Sequence, residues 1–163
     1  MTATRTDPAT DTGWLRQAVD LAARNVTEAG GPFGAVVVRA GRVVATGGNR
    51  VTADLDPSAH AEVTAIRAAC RELDDFALAG CTLYTSCEPC PMCAASALWA
   101  RLDRVVFAAD RHDAADGGFD DRAFYDLLAA TPAAWPAPVQ GLRLSTAVAP
   151  FDAWRDNPLR VDY

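Results

Sequence analysis

Short apolar, strand-like runs alternate with longer segments of helical spacing along this chain, and that alternation restricts the folds open to it. Residues 34–38, 81–86 and 105–109 are the clearest strands. Residues 14–29 read as a helix, because Leu15, Ala18, Val19, Ala22 and Val26 recur at helical spacing until Gly30-Gly31-Pro32 stops the pattern. Thr12 is placed to cap it. Residues 60–72 form a second helix, with Val63, Ile66, Ala69 and Cys70 on one face. A third runs from Pro91, whose missing N–H costs least in a first turn, to about Trp99. Residues 120–128 and 150–156 read as two more. Buried strands alternating with helices require a sheet covered on both faces. Ala40-Gly41 turns the first strand back into residues 42–46, so the sheet is mixed. With residues 142–148 as a last strand, the expected architecture is one three-layer α/β/α domain over residues 1–163 with about five strands. Residues 1–11 read as a loose leader, and 47–59 and 131–138 as loops.

Composition narrows the function. Half the residues are hydrophobic and 22 % are charged, which supports a packed core rather than a disordered chain. Fifteen basic residues against 21 acidic ones give a net charge of −6. That balance argues against a general nucleic-acid binder, which neutralises phosphates with a basic surface. The longest charge-free stretch, residues 127–142, is broken by Pro132, Pro136 and Pro138 and falls short of the ~18 apolar residues a span needs. No membrane partner is expected. The first residues have no apolar signal region, so the expected compartment is the cytoplasm. The five cysteines of such a chain point to metal or catalysis before disulfides.

The chemistry concentrates in His60-Ala61-Glu62 and Cys87-Glu88-Pro89-Cys90-Pro91-Met92-Cys93. Zinc takes Cys thiolates and His nitrogens in a tetrahedron, and catalytic sites use three protein ligands and leave the fourth position open. Two cysteine pairs have suitable spacing, 87/90 and 90/93. With His60 and all three cysteines the site is closed and structural; with two cysteines it is open. Pro91 starts a helix right after Cys90, which places Cys90 and Cys93 on its first turn facing the same way, at the end where the helix dipole favours thiolates. Cys87 then packs as a small apolar residue. Glu62 is either a proton carrier beside the metal or a solvated acid in the first helical turn. His60 and Glu62 are two residues apart, so they converge only around a helix start. His112, on a loop after a strand, reads as a surface residue.

The order His60-x-Glu62 followed by Pro89-Cys90-x-x-Cys93 resembles the signature of the zinc-dependent nucleobase deaminases. Pro32-Phe33-Gly34-Ala35-Val36, Asp56-Pro57-Ser58-Ala59-His60-Ala61-Glu62 and Thr85-Ser86-Cys87-Glu88-Pro89-Cys90-Pro91-Met92-Cys93 look like the branch that holds guanine deaminases and tRNA adenosine deaminases. Ala114-Ala115-Asp116-Gly117-Gly118-Phe119-Asp120-Asp121, Pro150-Phe151-Asp152-Ala153-Trp154-Arg155 and the closing Tyr163 resemble the bacterial guanine deaminases within it. The resemblance implies a cytidine-deaminase-like fold, one zinc per subunit on His60, Cys90 and Cys93, and hydrolysis of guanine to xanthine and ammonia with Glu62 as proton shuttle. It further implies a homodimer whose C-terminal segments, residues 150–163, exchange and close over the partner's site. Asp121 is the implied second proton carrier, with Asp120 as its near rival, since Asp120 also suits a helix cap.

The same resemblance places Asn49 on the purine, and the Ala61 N–H is a candidate hydrogen-bond donor to the base. Phe33 and Trp99 are candidates to sandwich the ring, or are ordinary core residues. Phe151, Trp154 and Tyr163 would form the lid, although Phe151 and Trp154 at i and i+3 also suit simple docking of a terminal helix. The alternatives are a tRNA adenosine deaminase, a deaminase of other free bases, nucleosides or amino-triazines (guanosine, cytosine, ammeline), and a non-catalytic zinc module closed by Cys87.

Overall fold

A computed structural model of the chain describes residues 8–137 and 139–162. In chain order the elements are α1 (Pro8–Thr27), β1 (Gly31–Arg39), β2 (Arg42–Asn49), α2 (Val51–Asp54), α3 (Ala61–Leu73), β3 (Cys81–Cys87), α4 (Pro91–Trp99), β4 (Arg104–Ala109), α5 (Arg111–Asp116), α6 (Arg122–Ala129) and α7 (Ala149–Asp156). The chain divides into two units, Met1–Ala123 and Phe124–Tyr163.

The first unit is organised around β1, in which Gly34 to Val38 are all buried. Such a run must lie inside a sheet, and the strand order is β2-β1-β3-β4. β1 pairs antiparallel with β2 and β3, while β3 and β4 run parallel. Alternate side chains point to opposite faces. Val36, Val38 and Tyr84 pack with Ala18 of α1, joined by Trp14, Leu15, Leu21 and Val106. Ala35, Val37, Cys81 and Leu83 pack on the other face with Ala61, Ala65, Ile66 and Ala69 of α3 and Ala97 of α4. The three-layer mixed sheet follows from that division.

Two glycines set how closely the helices approach. A Cβ at Gly34 would lie 2.4 Å from the Ala18 carbonyl oxygen of α1. One at Gly47 would lie 2.4 Å from the Ala61 carbonyl oxygen and 2.5 Å from the Ala65 nitrogen of α3. Backbone cannot yield as a side chain does, so Gly47 permits the start of α3 to rest directly on the sheet. On the α1 face, the Tyr84 hydroxyl donates to Asp11 Oδ1 at 2.6 Å, and Arg104 donates to both Asp11 oxygens at 3.1 and 2.6 Å. One carboxylate thereby joins the first turn of α1 to β3 and β4.

Several boundaries differ from the sequence reading. Residues 142–148 form no strand, so the sheet has four strands rather than about five. Leu142 and Leu144 are 88 % and 60 % exposed, and alternation alone does not hold a strand without a ladder partner. α1 already includes Pro8 to Asp11, assigned above to the leader, because the Asp11 anchor extends the helix past Thr12. The expected loop at 47–59 contains the end of β2 and the single turn α2, braced by an Arg50–Asp54 ion pair at 2.8 Å. His112 lies in α5 rather than on a loop. Asp110 accepts from the backbone of His112 and Asp113, and the Asp113 carboxylate accepts the Asp110 N–H in return. In the second unit none of the described residues is buried.

Gly47→Ala and Gly34→Ala should each lower stability by about 1–3 kcal/mol through overpacking against helix backbone. Gly13→Ala, in α1 with nothing within 4 Å of the added Cβ, should raise it by up to ~1 kcal/mol. Thermal unfolding of the three variants checks the contrast.

Candidate functional site

The site is built from two helix beginnings on one face of the sheet. His60 is the residue before α3 (φ −67°, ψ 157°) and Cys90 the residue before α4 (φ −62°, ψ 166°). Extended backbone at both positions releases the side chains from the helical rotation of about 100° per residue. His60 and Glu62 can therefore point the same way despite being two residues apart. Pro91 opens α4, and Cys93 completes its first turn next to Cys90. The loop before His60 is held by the Arg50 N–H donating to the Ala59 carbonyl at 2.8 Å and by Ser58 donating twice to Asp56.

His60 Nδ1 lies 3.6 Å from the Sγ of Cys90 and 3.6 Å from that of Cys93. All three potential ligand atoms lie within 4.8 Å of one another. A tetrahedral zinc with ordinary Zn–S and Zn–N bonds would separate sulfur from nitrogen by about 3.6 Å, so the spacing fits the metal. The three donors leave one tetrahedral position for water or substrate. Cys87 does not join them. It ends β3, is buried, and its thiol donates to the Asp110 carbonyl at 3.5 Å. Burial pushes that thiol up to about 11, as suits a neutral packed group. Hydrogen bonds from Cys93 first and from His60 hold Cys90 down at about 4, while its bond to Cys90 and burial push Cys93 up.

Glu62 is 6 % exposed, in the first turn of α3. That disposes of the solvated-acid reading. Burial pushes its carboxyl up, and its side chain shares a hydrogen bond with Cys93. A buried carboxyl beside a metal-ligand cluster is suited to holding and passing a proton. Asp120 and Asp121 separate clearly. Asp120 is exposed, and its two oxygens accept from Arg122 Nε and Nη2, both at 2.7 Å, which holds it at about 2. Asp121 is half-buried; burial first, and then the charge of Cys90, pushes it up.

Phe33 meets Phe119 edge to face, with ring centroids 5.1 Å apart. Ala61 is fully buried as the first residue of α3, where the N–H has no partner carbonyl within the helix. Asn49 ends β2, and its Oδ1 accepts the Val51 N–H at 3.3 Å. Trp99 lies at the other end of α4, 64 % exposed, with the Arg101 guanidinium 5.7 Å from its ring centre. It is about 9 Å along the helix from Cys93. Phe151 and Trp154 are exposed on α7, in the second unit, and Tyr163 lies outside the described residues.

The sequence reading passed over Glu88 and Arg111. Glu88 accepts from the Arg111 backbone N–H at 3.1 Å, from Nε at 3.0 Å and from Nη2. The Arg111 guanidinium holds the Glu88 carboxyl below the usual carboxylate range. With the Glu88 N–H donating to Ala109 at 2.8 Å, this clasp ties the turn before Cys90 to the end of β4. The Asp110-x-x-Asp113 capping pattern was the available signal for the helix that carries Arg111.

Residues 8–109 match the model of the cytidine and deoxycytidylate deaminase zinc-binding region. The chain belongs to this deaminase family. Its cofactor is accordingly zinc, in agreement with the donor set. Within the deaminases, the chain is 46 % identical to the guanine deaminase of Bacillus subtilis over 151 residues, 92 % of this chain and 97 % of that one. The X-ray structure of a guanine deaminase from Bacillus subtilis superposes with a TM-score of 0.91 at 44 % identity, covering 97 % of this chain and 99 % of that chain. A tRNA-specific adenosine deaminase from Aquifex aeolicus is 38 % identical over 96 residues, 59 % of this chain and 64 % of that one. Among the described residues no helix is long and apolar enough to cross a membrane.

The purified protein should carry one zinc per chain. Cys87→Ser should retain it, whereas Cys90→Ser, Cys93→Ser and His60→Ala should each lose most of it. Elemental analysis after dialysis against a weak chelator reads the difference, and loss of zinc from Cys87→Ser would indicate a closed site.

Proposed function

We propose that this protein catalyses the zinc-dependent hydrolysis of guanine to xanthine and ammonia, a step of purine salvage or breakdown in the cytoplasm. The observation that carries this reading is the extent of the likeness. Similarity to a guanine deaminase continues through the C-terminal segment, whereas that to the Aquifex tRNA adenosine deaminase covers 59 % of the chain. A net charge of −6 also suits a small base better than tRNA.

On this reading His60, Cys90 and Cys93 hold the metal. Zinc, when bound, supplies Lewis-acid activation of water, bringing its pKa to about 7. Glu62 takes a proton from the attacking water as the oxygen adds at C2, the carbon that bears the amino group. It delivers that proton to N3, the unprotonated ring nitrogen of the C2=N3 bond. Glu62 then takes the remaining proton of the added hydroxyl and, aided by Asp121, passes it to the exocyclic amine as the C2=O bond forms and the C2–N bond breaks, releasing ammonia. Asn49 and the Ala61 N–H orient the base edge. Phe33, which meets Phe119 edge to face, and Trp99 offer the aromatic surfaces for the ring.

The active form is proposed to be a homodimer with exchanged C-terminal segments, in which Phe151, Trp154 and Tyr163 close over the partner's site. The composition of the second unit supports this. None of its described residues is buried, yet it exposes Phe124 (59 %), Leu128 (54 %) and Phe151 (63 %). A segment of that size without a core of its own requires another surface.

Zinc-loaded protein should release ammonia from guanine in a panel that includes guanosine, cytosine, ammeline and a tRNA anticodon stem. Turnover of the stem but not of guanine would overturn the substrate. Glu62→Gln should lower kcat by ~10²–10⁴ with zinc retained. Asp121→Asn should cost about tenfold and Asp120→Asn under about twofold. For the exchange, a Glu62→Gln chain mixed with a chain lacking residues 150–163 should recover activity that neither has alone, because the intact site then receives its lid from the other chain. No recovery after verified subunit mixing would exclude it.

A further inference from the structure

The last turn of α1 reaches the open end of the β1–β2 hairpin through one side chain, Asn25. Its amide nitrogen donates both hydrogens, to the Gly31 carbonyl at 2.7 Å and to the Asn49 carbonyl at 2.8 Å. Those residues face each other across the two strands, at a point where the ladder is irregular between Gly31 and Gly34. Asn25 therefore closes a stretch that regular strand pairing leaves open. The amide is tightly enclosed. A Cβ on Gly30 would lie 2.3 Å from its nitrogen, and one on Gly48 would lie 2.5 Å from its oxygen. The carboxamide of Asn49 is fixed in turn. Its Oδ1 must face the Val51 N–H, since a donor needs an acceptor, and a Cβ on Gly31 would lie 3.0 Å from that same oxygen. With the oxygen committed, Asn49 has its NH₂ to offer a ligand.

We propose that Asn25 is a positioning residue for base recognition, holding the Asn49 backbone so that the Asn49 NH₂ meets a hydrogen-bond acceptor on the purine edge. This rests on the reading of Asn49 as a purine contact. The arrangement suits a base with a carbonyl or bare ring nitrogen at that edge. The Asn25 amide hydrogen bonds go to the Gly31 and Asn49 carbonyls rather than to the metal-ligand cluster, so its effect falls on binding of the base rather than on the chemical step.

The test measures kcat and KM for guanine, zinc content and Tm for Asn25→Asp and Asn25→Ser, each alone and combined with Asn49→Ala. Asn25→Asp keeps the shape but sets two acceptor oxygens against two carbonyls, and Asn25→Ser retains a single donor should the first variant fold poorly. Asn25→Asp should raise KM about tenfold, and Asn25→Ser about threefold, while one zinc per chain is kept. The value of kcat should stay within about twofold, and in the Asn49→Ala background KM should rise less than about twofold further. A KM unchanged in both Asn25 variants, or raised equally in both backgrounds, overturns the proposal, whatever happens to Tm. An unchanged KM in Asn49→Ala alone overturns the purine contact and this proposal with it, and so separates the two failures.

Discussion

The close approach of the start of α3 to the sheet is the constraint on which the rest depends. Gly47 lies against the backbone of Ala61 and Ala65, and a methyl group there would push away the turn that carries His60 and Glu62. The other half of the cluster reaches the same place from β3, whose last residue is followed by Glu88, Pro89 and Cys90. The Glu88–Arg111 clasp and the Cys87–Asp110 bond fasten that crossing to the end of β4. Two helix beginnings thus converge beside the carboxyl ends of two parallel strands, a common location for sites in open α/β sheets.

Helix beginnings are suited to this chemistry for a physical reason. A residue before the first helical turn has extended backbone, so His60 and Cys90 can aim inward while Glu62 and Cys93 follow from within the helices. The positive end of α4 favours the thiolates that zinc requires. Burial raises the Glu62 carboxyl and keeps Cys87 a neutral thiol.

The α/β class was legible because strand and helix periodicities differ and because the valines of β1 admit only a covered strand. The pairing of Cys90 with Cys93 was legible because their spacing is local around Pro91. What escaped the sequence was non-local. The extension of α1 to Pro8 depends on Asp11 meeting Tyr84 and Arg104, residues 73 and 93 positions away. The absent fifth strand failed because alternation at Leu142 and Leu144 says nothing about a pairing partner. α5 was missed because a capping box built from two aspartates is weaker than the Ser/Thr–Glu form.

By itself the sequence determined the donor types, their order along the chain and the helix start that pairs Cys90 with Cys93, since these rest on local backbone preferences. Only the tertiary structure decided that Cys87 stands apart, that Glu62 is buried, and that Asp121 rather than Asp120 retains a raised carboxyl near Cys90. Each of those outcomes depends on what a side chain meets across the fold: the Asp110 carbonyl, the packed face of the sheet, or the Arg122 guanidinium that engages Asp120.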